Sequence, residues 1–437
     1  GKITEETSAI LFPIDGFSDV NADEVRAAAE ELTALLRRYF GDGIEIETGV
    51  VTKDAPRFER EIDLRGDLLM PGFKDAHTHT AMTFLRSFAD DMPLSDWLYQ
   101  QVFPNEAKLD DEMIYTFTKL GIMEYLSSGI TSSFDMYMRN EAYAKANVDC
   151  GYRTVICSAL NNFDADEKNI EREYLRFNDY DELVSYRLGI HAEYTTGMER
   201  MKYMASLAEK YKEPCFMHLC ETESEVKGCV ERWGMTPPQL LDSIGMFAYG
   251  GGGFHCVWMS DEDIELFARK KLWAVTNPGS NAKLASGIAP LDRLAAAGIP
   301  MAIGTDGAAS NNALDMFREM YLASVLQKIA NKDAAAGSAD RVLEMACAGG
   351  AGAMGLHDAD DIAPGKLADL VVIDLHRPNM QPLNNIARNI VYSGSKENVR
   401  LTMVNGRILY ENGEFFIGEA PEEIYEKANR LMEKVRA

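Results

Sequence analysis

The sequence predicts an α/β fold: a (β/α)8 TIM barrel with a small β-sandwich domain assembled from both chain ends. Three observations carry that expectation. From about residue 68 to 307, short apolar runs alternate with longer amphipathic stretches, the rhythm of parallel βαβ units. Eight such runs fall within that segment, which matches a closed barrel better than an open doubly wound sheet. The flanks instead carry short strand pairs broken by Gly, Asn and Pro.

Taken in order, residues 1–67 form the N-terminal part of the small domain, with a helix expected at 23–40 and strands at 44–52 and 58–64. The barrel, 68–361, takes its strands from 68–76, 130–137, 153–160, 186–194, 215–220, 251–258, 271–278 and 301–307. Segments such as 112–127, 199–212, 261–269 and 290–297 lie between them and read as helices. The C-terminal part, 362–437, adds strands at 367–375, 399–404 and 406–410 and a surface helix at 421–436. The four glycines at 250–253 lack the Lys-Ser/Thr that follows a phosphate loop, and read as a loop before a strand.

Composition narrows the partners. With 44 Lys+Arg against 69 Asp+Glu, the net charge is -25, the wrong sign for a phosphate backbone or an anionic bilayer. No nucleic acid and no membrane is therefore expected, and the acidity serves solubility. A chain that is 46% hydrophobic and 26% charged is ordinary globular protein and not disordered, collagenous or coiled-coil. Seven scattered cysteines without a Cys-x-x-Cys pair read as reduced, buried thiols of an intracellular protein. No stretch nears the ~18 apolar residues of a membrane span, and the first residues lack a signal-peptide pattern, so a cytoplasmic location is expected.

The chemistry concentrates in the histidines. His77 and His79 stand two apart in DAHTHT at the end of the first barrel strand, where residues i and i+2 share a face and can meet one ion. Alone, such a pair reads more readily as two polar residues leaving a strand. However, His191, His218, His255 and Asp306 also fall at C-terminal ends of predicted barrel strands, the rim where barrel active sites form. His77, His79, His218 and Asp306 make a ligand set with a position open for water. Imidazoles plus one carboxylate suit a divalent ion, Zn2+ ahead of Fe2+, which would draw the pKa of that water from 15.7 toward about 7. Glu221, three residues after His218, is near enough to serve as general base and then acid. Its other reading is a charge complementing a helix start. Phe84, Phe88, Trp97 and Tyr99 follow His79 and either wall a pocket or pack in the core.

These residues sit in longer motifs: PGFKDAHTHTAMTFLRSFADDMPLSDWL (71–98), MHLCETESEV (217–226), FHCVWMS (254–260), NPGSNAKLASGIAP (277–290), GTDGAASNNALDM (304–316) and PGKLADLVVIDL (364–375). Over about residues 60–410 the chain resembles the amidohydrolase superfamily in its mononuclear aminohydrolase branch. Within that branch it resembles 5′-methylthioadenosine/S-adenosylhomocysteine deaminases and their chlorotriazine-hydrolase and guanine-deaminase relatives. The resemblance implies metal ligands at His77, His79, His218 and Asp306, proton transfer by Glu221, and contacts from His255 and Asp306 to the attacking hydroxide and tetrahedral intermediate. Strand four ends in His191 and not in a metal-bridging lysine, which implies one divalent ion.

For substrate, the resemblance implies that Glu106 in PNEAKL holds ribose hydroxyls, that His191 contacts the base, and that Ser310 lies near it. Glu106 otherwise reads as a solvated loop charge. A homo-oligomer, dimer or tetramer, is implied as well. Homocysteine-handling members carry arginines near the end of strand three and in the following loop, where this chain has Ser158 and, at about the second place, Lys168. Trp258 stands where many relatives have a second His. Adenosine, methylthioadenosine or 5′-deoxyadenosine is therefore expected ahead of S-adenosylhomocysteine. The expected activity is hydrolytic deamination of an aminopurine nucleoside, a C–N hydrolase releasing ammonia. The alternatives are the same machinery acting on guanine, cytosine, a pterin or a chlorotriazine, or a metal-holding barrel without catalysis.

Overall fold

A computed structural model describes residues 60–163 and 166–436. The helix expected at 23–40 and the strand at 44–52 lie outside the described residues. Residues 60–64, the described part of the strand expected at 58–64, are not in a strand. All elements below belong to one compact unit that includes residues 66–437.

Eight strands form a parallel sheet in chain order: β2 (Phe73–Thr78), β3 (Ile130–Asp135), β4 (Arg153–Cys157), β5 (Val184–Ala192), β6 (Cys215–Leu219), β7 (Gly251–His255), β8 (Trp273–Thr276) and β9 (Met301–Ile303). The edges meet where the Asp306 amide donates to the His77 carbonyl at 2.9 Å, so the sheet curls into the expected barrel. Helices such as Asp111–Ser127, Met198–Tyr211 and Asp261–Lys270 run between the strands. Six of the eight strands are buried at every residue, which is why they show no regular polar alternation in sequence.

A second, antiparallel sheet of order β1-β10-β11-β12-β13 joins β1 (Leu68–Pro71) to β10 (Leu370–Ile373), β11 (Val399–Val404), β12 (Arg407–Glu411) and β13 (Glu414–Phe415). The run 68–76, expected as one barrel strand, is thus two strands in two sheets. Gly72 is the joint: a Cβ there would collide with the Thr131 side chain, and its amide donates to Asp369. A buried pair, Arg153 Nε to Asp369 Oδ2 at 2.6 Å, ties the small sheet to the barrel. Gly251–Gly253 lie inside β7, as the strand expected at 251–258 requires, and not in a loop before it. A Cβ at Gly251 would run into the Cys215 carbonyl oxygen and one at Gly252 into that of Trp273, so the run serves close approach of neighbouring strands.

Candidate active site

The strand ends gather the expected residues on one rim. His77 points inward from β2, and His79, one residue past its end, shares that face. His218 comes from β6 and His255 is the last residue of β7. Asp306 lies three residues beyond β9. His255 and Asp306 both have left-handed backbones, φ 74° and 58°, conformations that cost non-glycine residues energy and concentrate at functional sites. Asp306 is held there by its amide bond to His77 and by the Gly307 amide, which donates to Oδ1 at 2.9 Å.

Donor chemistry fits a cation. His79 Nδ1 meets the Met136 carbonyl at 2.5 Å and His218 Nδ1 meets the His191 carbonyl at 2.8 Å. A carbonyl only accepts, so both Nδ1 atoms carry hydrogen and both Nε2 atoms turn inward. Those two Nε2 atoms stand 3.3 Å apart, with Asp306 Oδ1 3.2 Å from that of His79. Two imidazole nitrogens and a carboxylate at that separation call for positive charge among them, a cation or a proton. His77 is fully buried and neither of its ring nitrogens has a hydrogen-bond partner; its Nε2 lies 3.7 Å from Asp306 Oδ1. Burial, then neighbouring imidazoles, pushes His77 and His218 well below the usual histidine range, keeping them neutral. Burial opposes the charged form of His79 as well, but Asp306 outweighs it and lifts the ring to about 9. Burial would raise Asp306, yet contact with His79 and the other imidazoles holds it well below the carboxylate range.

Glu221 sits beside this cluster, with Oε2 3.8 Å from His255 Nε2. Ser286 donates to its Oε1 at 3.2 Å. Burial raises its carboxyl, while His255 pulls it back. His255 Nδ1 is taken by Asn281 Oδ1 at 2.7 Å, which leaves Nε2 facing Glu221 and Asp306.

A cavity of about 840 Å³ opens from this rim, lined by His79, His218, Glu221, His255 and Asp306 and also by Glu106, His191 and Ser310. Nine of the nine expected site residues are therefore in one place, with His77 beneath the floor. Glu106 ends the short helix Phe103–Glu106 and is buried, so it is no solvated loop charge. Burial lifts it to about 7, against the pull of Tyr137 and His79. His191 joins Thr195 through Nδ1 at 2.8 Å, and burial followed by the His79 charge lowers it to about 4. Ser310 donates to the Gly307 carbonyl at 3.2 Å.

Other expectations resolve individually. Trp97 lines the cavity, whereas Phe84 packs on Phe117 in the core and Tyr99 is exposed against Phe103. Trp258 is partly exposed and donates to the Ser286 carbonyl at 2.7 Å. Ser158 lines the cavity, but Lys168 does not. Arg172, on the helix Asn169–Phe177, and Arg139 do, and Arg172 Nη2 lies 2.9 Å from Asp166 Oδ2. Both arginines escaped sequence reasoning because loop lengths blur position by several residues. Asn281 and Ser286 escaped as well, although both lie in the motif at 277–290.

The model of the Amidohydrolase family matches residues 68–409. The chain belongs to that family. It is therefore a hydrolase of a metal-dependent family. It is 41% identical over 365 residues to a 5′-deoxyadenosine deaminase of Methanothermobacter thermautotrophicus, covering 82% of this chain and 85% of that one. It is 38% identical over 381 residues to a 5-methylthioadenosine/S-adenosylhomocysteine deaminase of Pyrococcus furiosus, covering 86% and 90%. Among solved structures, a zinc-bound adenosine deaminase from Xanthomonas campestris superposes with a TM-score of 0.81 at 32% identity, covering 85% of this chain and 86% of that one.

Proposed function

We propose that this amidohydrolase is a metal-dependent hydrolytic deaminase of 6-aminopurine nucleosides, with adenosine, 5′-methylthioadenosine and 5′-deoxyadenosine as its substrate class. One observation carries the reading: two buried carboxyls, Glu221 and Glu106, wall the same cavity. The first lies against the imidazole and carboxylate cluster, and the second stands apart from it on the helix Phe103–Glu106. The first suits proton transfer and the second a sugar's hydroxyl pair.

His77, His79, His218 and Asp306 would hold one divalent ion, zinc ahead of iron, whose chemistry is to make a water acidic near neutral pH. Glu221 takes a proton from the attacking water and delivers it to the ring nitrogen beside C6. Raised by burial, it suits both halves of that task. It then takes the remaining hydroxyl proton from the tetrahedral centre and gives it to the departing amine as the C6–N bond breaks, so water and the aminopurine become the 6-oxopurine and ammonia. His255, oriented through Asn281, bonds the incoming oxygen and the tetrahedral centre. Glu106 accepts from the ribose hydroxyls, and His191 and Ser310 contact the base. Arg139 and Arg172 line the cavity, so a charged 5′ extension such as that of S-adenosylhomocysteine belongs among the substrates to be assayed.

The test is ammonia release from the metal-loaded protein across these nucleosides, guanine and cytosine. Glu221→Gln is expected to retain metal and lose turnover by about 10²-fold or more. Full activity in that variant overturns the assignment, and activity confined to free bases overturns the role of Glu106.

A further inference from the structure

Glu225 is buried in the first turn of the helix Glu223–Trp233. A glutamate three residues after Thr222 would ordinarily complete a capping box, returning its carboxylate to the helix start. The carboxylate also reaches outside the helix. Oε1 accepts the Cys220 amide and Oε2 the Glu221 amide, each at 2.8 Å. Cys220 is left-handed, φ 53°, so two successive amides converge on one anion as in a backbone nest.

The same turn is held from its other side. The Cys220 carbonyl accepts the amides of Val257 and Trp258, at 3.0 and 2.8 Å, and the Leu219 carbonyl accepts that of Cys256 at 3.1 Å. Those residues directly follow His255. The segment presenting Glu221 is therefore pinned between the Glu225 carboxylate and the end of β7, and Glu221 and His255 face each other across it.

We propose that Glu225 is a positioning residue for deamination: its carboxylate fixes the left-handed turn at Cys220 and so aims the Glu221 carboxyl at the reacting water. This inference rests on Glu221 as the proton carrier. Glutamine in place of Glu225 offers one acceptor oxygen and turns an NH2 group on the other amide. One buried N–H loses its partner and meets a donor. The turn relaxes, and misplacement of a reacting group by about 1 Å costs on the order of 10²-fold.

Steady-state kinetics on adenosine with Glu225→Gln, Glu221→Gln and the double variant, each assayed for bound zinc, tests this. The expected result for Glu225→Gln is a kcat about 10- to 100-fold lower, KM within about twofold and metal content unchanged. In the Glu221→Gln background the same change should cost nothing further, because its effect passes entirely through the missing carboxylate. Glu225→Asp keeps the charge but cannot span both amides, and should lose kcat similarly. It serves as the second variant if the glutamine form is poorly folded. Wild-type kcat in both Glu225 variants overturns the inference, as does an equal loss in both Glu221 backgrounds, which marks a merely structural role. Full activity of Glu221→Gln overturns the proton-carrier reading itself and the inference with it.

Discussion

Single buried carboxyls set much of the chemistry of this chain. Glu106→Gln keeps the size and removes the charge, so it should lower kcat/KM for ribonucleosides by roughly 10- to 100-fold, chiefly through KM. A 2′,3′-dideoxy substrate should be indifferent to the change, and steady-state kinetics on the pair checks it. Glu319 makes a different point. Its carboxylate accepts the Gly279 amide at 2.7 Å and the Asn311 side chain at 2.9 Å, and burial lifts it to about 8. A folded value above the ordinary 4.5 means that the native state keeps a proton the unfolded chain has released. Stability should therefore fall as pH rises from 4.5 to about 8. Urea melts across that range should show a decline of roughly a few kcal/mol, and Glu319→Gln should flatten it. At this scale the histidines and Asp306 were legible because strand ends are legible. Glu225 was hidden, since T-E-S-E spells an ordinary helix start and only the backbone reveals where its oxygens go.

Among the elements, the barrel strands are readable because burial on both faces of most of them leaves short runs without regular polar alternation. Two readings failed for one reason: glycine's meaning depends on neighbours distant in sequence. Gly72 ends a strand because Thr131 leaves no room, and Gly251 continues one because Cys215 leaves none. The helix Pro421–Arg436 is amphipathic at helical spacing and was legible with its boundaries. Its role was not. Val435 and Leu431 bury in the cluster that contains Leu109 and Trp97, and Lys108, two residues after Glu106, donates to the Val435 carbonyl at 2.6 Å. The helix thereby underpins the segment that carries Glu106. Leu431→Ala should cost about 2–5 kcal/mol in a denaturant melt, and KM for ribonucleosides should rise in the surviving folded protein.

Across the whole molecule, the site draws its residues from five of the eight barrel strand ends and from loops far apart in sequence, so its geometry exists only when the barrel closes. The pairing of Asp306 with His77 is at once a ligand contact in the proposed centre and the seam of the barrel. All seven cysteines are buried and free, and none can react with a maleimide or a disulfide reagent until the chain around it opens. Two of them, Cys220 and Cys256, occupy the left-handed turns beside Glu221 and His255, while the others are spread through the barrel. Native protein should show almost no titratable thiol and denatured protein seven equivalents. If a chelator loosens only the rim, peptide-resolved alkylation should mark Cys220 and Cys256 well before Cys150 or Cys215. The chain thus carries a built-in stopwatch that tells local breathing of the rim from global unfolding.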